Sequence, residues 1–337
     1  MNLPKIDVST EELYRMLYAP IKSKLLITGL ELKVFDLLSE PKSAEEVSKA
    51  IEGHPTNTML FLNGLVACDL LVKYNGLYKN APIAQMFLVG GSPTYLGGGF
   101  ISQRNMSSVS LDNLTKLIKE GPQPSSDDAS RSEEEWARFA TWMANTERAG
   151  VAQQMSDVVS KLPEFSSFGN MLDLGGGPGI FGISMVSKHP SMKGVIFDRQ
   201  PVVEVAKGFI KEYELEDRID VLAGDYNCDP IGEGYDFIWS SATLNFAMKN
   251  MDTVMKKIYD ALNPGGVFIN LSEGLTDEGT KPDFYVLAVM GWSMASSIMA
   301  FDQGFIADAM IKAGFRSVRS RTLNTGWGPM DMDIARK

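Results

Sequence analysis

The feature that most restricts the fold is the run Met171-Leu-Asp-Leu-Gly-Gly-Gly-Pro-Gly-Ile-Phe-Gly182. Its opening residues read as a short buried strand, and the glycines that follow serve a tight reversal in which the backbone closely approaches a ligand. The apolar run after the turn reads as a helix whose positive end faces the same point. Downstream, GVIF, IDVL, YDFIW, GVFIN and DMDIA are short apolar segments separated by helical stretches. Such alternation predicts an α/β fold with a parallel, doubly wound sheet. One helix is expected from Glu133 through Ser160, ahead of the sheet.

The first hundred residues read differently. Apolar residues recur at helical spacing in LYRMLYAPIKSKLLITGLELKVFDLL and NTMLFLNGLVACDLL, and Ser43-Ala-Glu-Glu46 fits a capping box. Asn75-Gly76 supplies a type I′ turn between the apolar arms of a hairpin. Helices followed by a hairpin describe a winged helix, a shape that often reads DNA. Lys and Arg total 32 against 42 Asp and Glu over the whole chain, a net charge of −10, which opposes sequence-independent binding to phosphate backbones. A helical dimerisation module is the favoured reading, with no nucleic acid as partner.

Two cysteines, Cys68 and Cys228, are too few for a disulfide framework and fit a reducing cytoplasm. The opening MNLPKIDVSTEELYR has no basic region followed by an apolar run, and no stretch reaches the roughly 18 to 20 apolar residues of a spanning helix, so neither secretion nor a membrane is expected. With only His54 and His189, a multi-histidine metal site has few candidates, and no metal is expected.

Gly177-x-Gly179-x-x-Gly182 also satisfies the dinucleotide fingerprint, so the glycines alone leave NAD and other adenosine-containing ligands open. Asp173 shifts the balance, because a carboxylate aimed at the loop repels a pyrophosphate and suits a cationic amino-acid portion. Asp198 ends the second strand, the usual place for an acid that accepts hydrogen bonds from ribose hydroxyls. Asp225 and Tyr226 end the third, putting an acid near the adenine amine and a ring beside it.

Taken in order, LITGLELKVFDLL, the NGLY wing, Phe139 to Met143, DLGGGPG, FDRQPVVEVA, AGDY, ALNPGG and KAGF span nearly the whole chain. The sequence resembles the S-adenosylmethionine-dependent small-molecule O-methyltransferases, the family of plant caffeate and bacterial polyketide and phenazine enzymes. The resemblance implies S-adenosyl-L-methionine as cofactor, a small-molecule substrate and a homodimer formed through the N-terminal domain. It places Gly175, Gly177 and Gly179 along the methionine and ribose, Asp198 on the ribose, and Asp225 and Tyr226 on the adenine, with Asp173 and Ser240 completing the cofactor set. The implied domains are a winged-helix-like dimerisation domain at 1–100, a helical linker and substrate-pocket segment at 101–160, and a Rossmann-like methyltransferase domain at 161–337.

One departure stands out. Family members carry Leu-His-Asp-Trp ahead of the Pro-Gly-Gly turn, with the histidine as general base. This chain has Thr243-Leu-Asn-Phe-Ala-Met-Lys-Asn, so Asn245 takes the histidine's place and can orient an oxygen but not accept a proton. The stretch Gly291 to Ala300 lacks the acid that would orient such a base. Asp302 or Tyr285 is the candidate displaced base, while His189 and His54 sit in loops where a structural role is expected. Trp142, Met143, Phe246, Met290 and Met294 are the expected substrate-pocket residues, with Met248, Trp292 and Met299 in the same apolar company. The expected activity is methyl transfer to O, S or C of an aromatic or apolar acceptor without a histidine base. The alternatives are a repurposed S-adenosylmethionine-binding protein and a winged-helix regulator.

Overall fold

The computed structural model describes residues 3, 5–102, 114–121, 132–296 and 300–337. Met299, the connecting stretches 103–113 and 122–131, and the side chain of Trp292 lie outside the described residues. The chain divides into two compact units, Met1–Asn105 and Met106–Lys337.

In the first unit a helix over Glu11–Glu31 leads through Val34–Leu37 to strand β1 (Lys42–Ser43), helices Ala44–Ala50 and Pro55–Ala67, and the hairpin β2 (Leu71–Tyr74) and β3 (Leu77–Asn80). The capping box forms as expected: the Ser43 hydroxyl accepts from the Glu46 N–H, and the Glu46 carboxylate accepts from the Ser43 N–H. Asn75 and Gly76 both take positive φ, 49° and 80°, as a type I′ turn demands. The strands pair in the order β1-β3-β2, over a core of Phe35, Leu38, Val47, Leu62, Leu65, Leu71 and Tyr78. The first helix is different: of its 21 residues only Ile27, Gly29 and Leu30 are buried, and Leu13, Tyr14, Met16, Leu17, Tyr18 and Ile21 are exposed.

The second unit is built on a seven-stranded sheet, β6-β5-β4-β7-β8-β10-β9, from β4 (Asn170–Leu174), β5 (Lys193–Asp198), β6 (Ile219–Ala223), β7 (Tyr235–Ser241), β8 (Leu262–Ser272), β9 (Ser317–Thr325) and β10 (Gly328–Arg336). Neighbours from β6 through β8 run parallel, whereas β10 pairs antiparallel with both β8 and β9. The sheet is therefore mixed, which corrects the all-parallel expectation. The two-residue link between Thr325 and Gly328 permits only a hairpin, since a parallel return needs a crossover of about a dozen residues. Helices cover both faces and bury two apolar clusters, one around Met171, Phe181 and Trp239, the other around Leu172, Leu174 and Phe268.

The chain runs outward from central β4 to β5 and β6, then returns to β7 on the opposite side, so a crevice opens at the carboxyl ends of β4 and β7, beside that of β5. The helix expected over Glu133–Ser160 is three pieces: Glu133–Thr146, a wider turn over Glu147–Val151, and Ala152–Val159. Gly150, at φ 117°, leaves helical geometry and is the physical reason for the break.

Candidate active site

The glycine loop works by close approach. At Gly175, φ is 63°, and a Cβ would lie 2.2 Å from the Thr243 hydroxyl oxygen; at Gly179, φ is 81°, and a Cβ would lie 2.2 Å from Cδ1 of Ile196. Any side chain at either position would collide as well as strain the backbone. The loop therefore seats the helix Ile180–Lys188 against β5 and brings Thr243, which follows β7, down onto the turn.

Above the loop lies a cleft of about 930 Å³, open solvent at its mouth included. Its walls come from Trp136, Phe139, Met143 and Glu147 on one segment, Asp173 and the turn Gly175–Pro178, then Phe181, Asp198, Arg199, Asp225, Tyr226, Ser241, Thr243, Phe246 and Trp327. Of the cofactor residues expected from sequence, Asp173, Gly175, Gly177, Asp198, Asp225 and Tyr226 meet here; of the substrate residues, Met143 and Phe246 do. Gly179 does not line the cleft and instead lets the helix pack on Ile196.

Four other expected residues sit elsewhere. The Ser240 hydroxyl is fully buried and donates to Oδ1 of Asn270 at 2.9 Å, while Ser241, one step along the strand and on its other face, lines the cleft with its hydroxyl oxygen unpartnered. Trp142 packs on Phe139 with ring centroids 5.4 Å apart rather than facing the cleft. Met290 and Met294, on the helix Asp283–Ser296, do not line it either.

Electrostatics concentrate at the β4–β5 end. The Asp198 carboxylate accepts from the Gly177 N–H at 2.8 Å through Oδ2 and from the Arg199 N–H at 2.7 Å through Oδ1. Burial raises its pKa, and those two hydrogen bonds hold the rise back. Each oxygen keeps a free lone pair toward the cleft. Asp173 accepts from the Gly182 N–H at 2.9 Å, yet burial still pushes its carboxyl up to about 7. Glu147 is 4% exposed, one of its carboxylate oxygens has no partner, and burial followed by the charges of Asp173 and Asp198 raises its pKa well above the carboxylate range. Only the hydrogen bond from the Ile180 N–H works the other way.

At the head of the helix Ile180–Lys188 the Gly182 N–H donates to Asp173, and the Ile180 N–H faces Glu147 closely enough to oppose the rise of its pKa. A helix head normally offers donors to an anion. Here it presents two carboxyl groups whose ionised form only accepts, and a cationic ligand end favours that form, so the complementary end is cationic and a pyrophosphate does not fit.

Glu147 was not among the residues expected from sequence. It lies in a plain helical run, and its importance comes from the break at Gly150 and from the approach of that segment to a loop about 30 residues later. Trp136, Arg199 and Trp327 were likewise missed. The Arg199 guanidinium lies 5.1 Å above the Trp136 ring, and Trp327 meets Phe181 edge-on at 5.8 Å.

At the opposite wall Tyr226 is buried, its hydroxyl donating to the Thr243 carbonyl at 2.7 Å, and burial raises its pKa above the ordinary tyrosine range. Asn245 belongs to the 3₁₀ turn Leu244–Asn250 and does not line the cleft, although Thr243 and Phe246 on either side of it do; its Oδ1 is buried without a partner. The displaced-base candidates gain no support from their positions. Asp302 is exposed and absent from the cleft wall. Tyr285 donates to the Trp327 carbonyl at 3.0 Å, and burial, with the charges of Glu273 and Asp331, raises its pKa. His189 uses Nδ1 to accept from the Ser191 and Met192 N–H groups, and His54 caps the helix Pro55–Ala67 by accepting from the Asn57 N–H. Among the described residues, no cluster of metal-ligating side chains forms.

A family model for the O-methyltransferase domain matches residues 125–301, and one for the O-methyltransferase dimerisation domain matches residues 14–90. The chain is 27% identical to the N,N-dimethyltransferase OxyT of Streptomyces rimosus, over 82% of this chain and 83% of that protein. It is also 27% identical to the acetylserotonin O-methyltransferase of Bos taurus, over 94% of each. The solved structure of human N-acetylserotonin methyltransferase in complex with S-adenosylmethionine superposes with a TM-score of 0.80 at 22% identity, covering 99% of both chains. With a domain match over more than half its length, an acid-lined glycine loop and this fold, the chain belongs to the O-methyltransferase family of S-adenosylmethionine-dependent methyltransferases.

Proposed function

We propose that this protein transfers a methyl group from S-adenosylmethionine to a small aromatic or apolar acceptor, working as a cytoplasmic homodimer. The observation that carries the reading is the carboxylate-faced head of the helix Ile180–Lys188, which suits a cationic amino-acid moiety. Asp198 has lone pairs left for both ribose hydroxyls, and Asp225 and Tyr226 would flank the adenine. Ser241, whose hydroxyl has no partner, replaces Ser240 in this reading.

The bound donor supplies a methyl group already activated on a sulfonium sulfur. What the chain contributes is alignment and exclusion of water, which together can lower a bimolecular barrier by roughly 7–11 kcal/mol. Trp136, Phe139, Met143, Phe181, Phe246 and Trp327 give the cleft flat, apolar walls on which an aromatic acceptor stacks. With Asn245 where a base would stand, the acceptor must bring its own lone pair at working pH, as a phenolate, thiolate, enolate or neutral amine does. Both oxygen and nitrogen acceptors are represented among the relatives named above.

Turnover with radiolabelled methyl donor against phenols, thiols, carbon acids and amines tests this. Label transfer to at least one class is expected, and donor binding without transfer to any class would overturn the transferase reading. The dimer reading rests on the dimerisation-domain match and the exposed apolar face of the helix Glu11–Glu31 within a winged-helix-like unit. Light scattering should give twice the chain mass, falling to a single chain mass for Leu13→Glu/Leu17→Glu; an unchanged dimer would remove that helix from the interface.

A further inference from the structure

We infer that Glu147 is the receptor for the α-ammonium of the donor's methionine moiety, a binding residue set by the break in the helix that precedes the sheet. The inference rests on the donor assignment above and deepens it. Glu147 lines the cleft, is 4% exposed, and keeps one carboxylate oxygen without a partner. The Ile180 N–H at the head of the helix Ile180–Lys188 lies close enough to oppose the rise of its pKa. The carboxyl therefore stands beside a helix end with an unmet acceptor, on the wall of a cavity that Asp173 and Asp198 also line.

Such an arrangement is costly without a ligand. A buried carboxylate beside two others has no reason to remain in a core unless a cation or a strong donor completes it. Lys and Arg do not fill the role: Arg148, the adjacent cation, turns away to Glu212 at 2.8 Å and stacks on Phe209 and Tyr213. Placement follows from the chain path. Beyond Glu147 the backbone widens through Val151 and departs from helical geometry at Ala149 and Gly150, and this change of course carries Glu147 to the glycine loop while the helix Ala152–Val159 continues along the sheet. An ammonium offers three donors to the free oxygen of Glu147 and to its neighbours, whereas the sulfonium, lacking N–H groups, cannot satisfy that oxygen.

The test compares ligands that differ only in the amino-acid portion, by calorimetry on the full chain. S-adenosylhomocysteine carries the ammonium, 5′-methylthioadenosine lacks the whole amino-acid arm, and the deaminated analogue of S-adenosylhomocysteine keeps the carboxylate alone. Glu147→Gln should weaken S-adenosylhomocysteine by roughly tenfold to a hundredfold and leave 5′-methylthioadenosine within about twofold. Glu147→Asp should recover part of the loss. Independently of any variant, the wild-type protein should bind the deaminated analogue as poorly as Glu147→Gln binds S-adenosylhomocysteine. Equal weakening of both ligands by Glu147→Gln, or full affinity of the wild type for the deaminated analogue, overturns the assignment while leaving the donor site intact. A wild type that binds neither S-adenosylhomocysteine nor 5′-methylthioadenosine overturns the donor reading itself.

Discussion

Where β4 and β5 end, the cleft is walled by the buried Glu147 and Asp173 and the half-buried Asp198, the two aspartates braced by backbone N–H groups. Across from them, around Thr243–Phe246 and the helix Glu133–Thr146, the wall is Trp136, Phe139, Met143 and Phe246, with no base where Asn245 stands. The first wall holds acceptors in a fixed geometry, and burial makes their ionisation depend on a cationic partner; the second supplies shape and apolar area. Preference for a cationic donor is therefore built into the first wall, and in the proposed reading reactivity comes from the acceptor. The difference also appears in the backbone. In the acid wall Asp173 and Asp198 hang on strand ends beside glycines that no larger residue could replace, and Glu147 on a helix break, while the acceptor wall is side chains on helices, which can vary without moving the sheet.

The sharpest way to break this contrast is to remove one brace of the acid wall. Asp198→Ala deletes a cleft-lining side chain that engages both the Gly177 and Arg199 backbone donors and, in the proposed reading, takes the ribose. Charge-assisted hydrogen bonds are worth roughly 1.5–3 kcal/mol each, so affinity for S-adenosylhomocysteine should fall at least tenfold and up to about a hundredfold by calorimetry. Unchanged affinity would mean that the charge is ornamental and the two walls do not differ in function.

A smaller effect comes from Asp173, whose carboxyl burial holds near 7. Because the folded pKa lies above the unfolded one, this group's contribution to the stability of the ligand-free protein is fully present below about pH 4 and is lost as pH rises through 7. A cationic ligand prefers the ionised form, so binding runs the opposite way and strengthens as pH rises from 6 to 8. If only the ionised form binds, a pKa near 7 gives an increase of about tenfold across that interval. Asp173→Asn, which can still accept from Gly182, should flatten both trends. A slope that survives in Asp173→Asn would assign the titration to Glu147 instead.

The acid wall was partly legible in the sequence and the acceptor wall hardly at all, for physical reasons. Asp173 and Asp198 follow from strand ends beside a glycine turn, because in a doubly wound sheet the carboxyl ends of strands must meet. Ser240 missed by one residue because strand side chains alternate, and a run buried on both faces does not say which face looks into the crevice. Glu147 depends on a helix break and a contact across the fold, neither of which has a local signature. β9, with its sequence SVRSRTLNT, was invisible because an edge strand with one solvated face carries little apolar pattern, and strand direction in the β9–β10 hairpin is set by a short connection rather than by composition. Trp142 and the methionines of the helix Asp283–Ser296 show that an aromatic or thioether near the right motif need not line the cleft.

The smallest expected effect is at Asn245, and it bears most directly on what the acceptor wall does. Its Oδ1 is buried without a partner, so the folded protein already bears the cost of an unmet acceptor, of order 1–3 kcal/mol. Asn245→Ala removes that cost together with the amide, and the thermal midpoint should stay level or rise. Turnover should fall only indirectly, because Asn245 does not line the cleft and acts through Thr243 and Phe246 on either side of it, which do. The fall should stay under about tenfold, well short of the roughly 10² to 10⁴ that loss of a general base produces. The pH–rate profile separates the cases further. If the acceptor supplies its own lone pair, profiles for acceptors of different acidity shift with each acceptor's ionisation, in the wild type and in Asn245→Ala alike. A single pKa common to all acceptors would instead reveal a base belonging to the protein, and the buried acids Glu147 and Glu273 would then be the groups to replace, since Asp302 stands at the surface and Tyr285 is bonded to the Trp327 carbonyl.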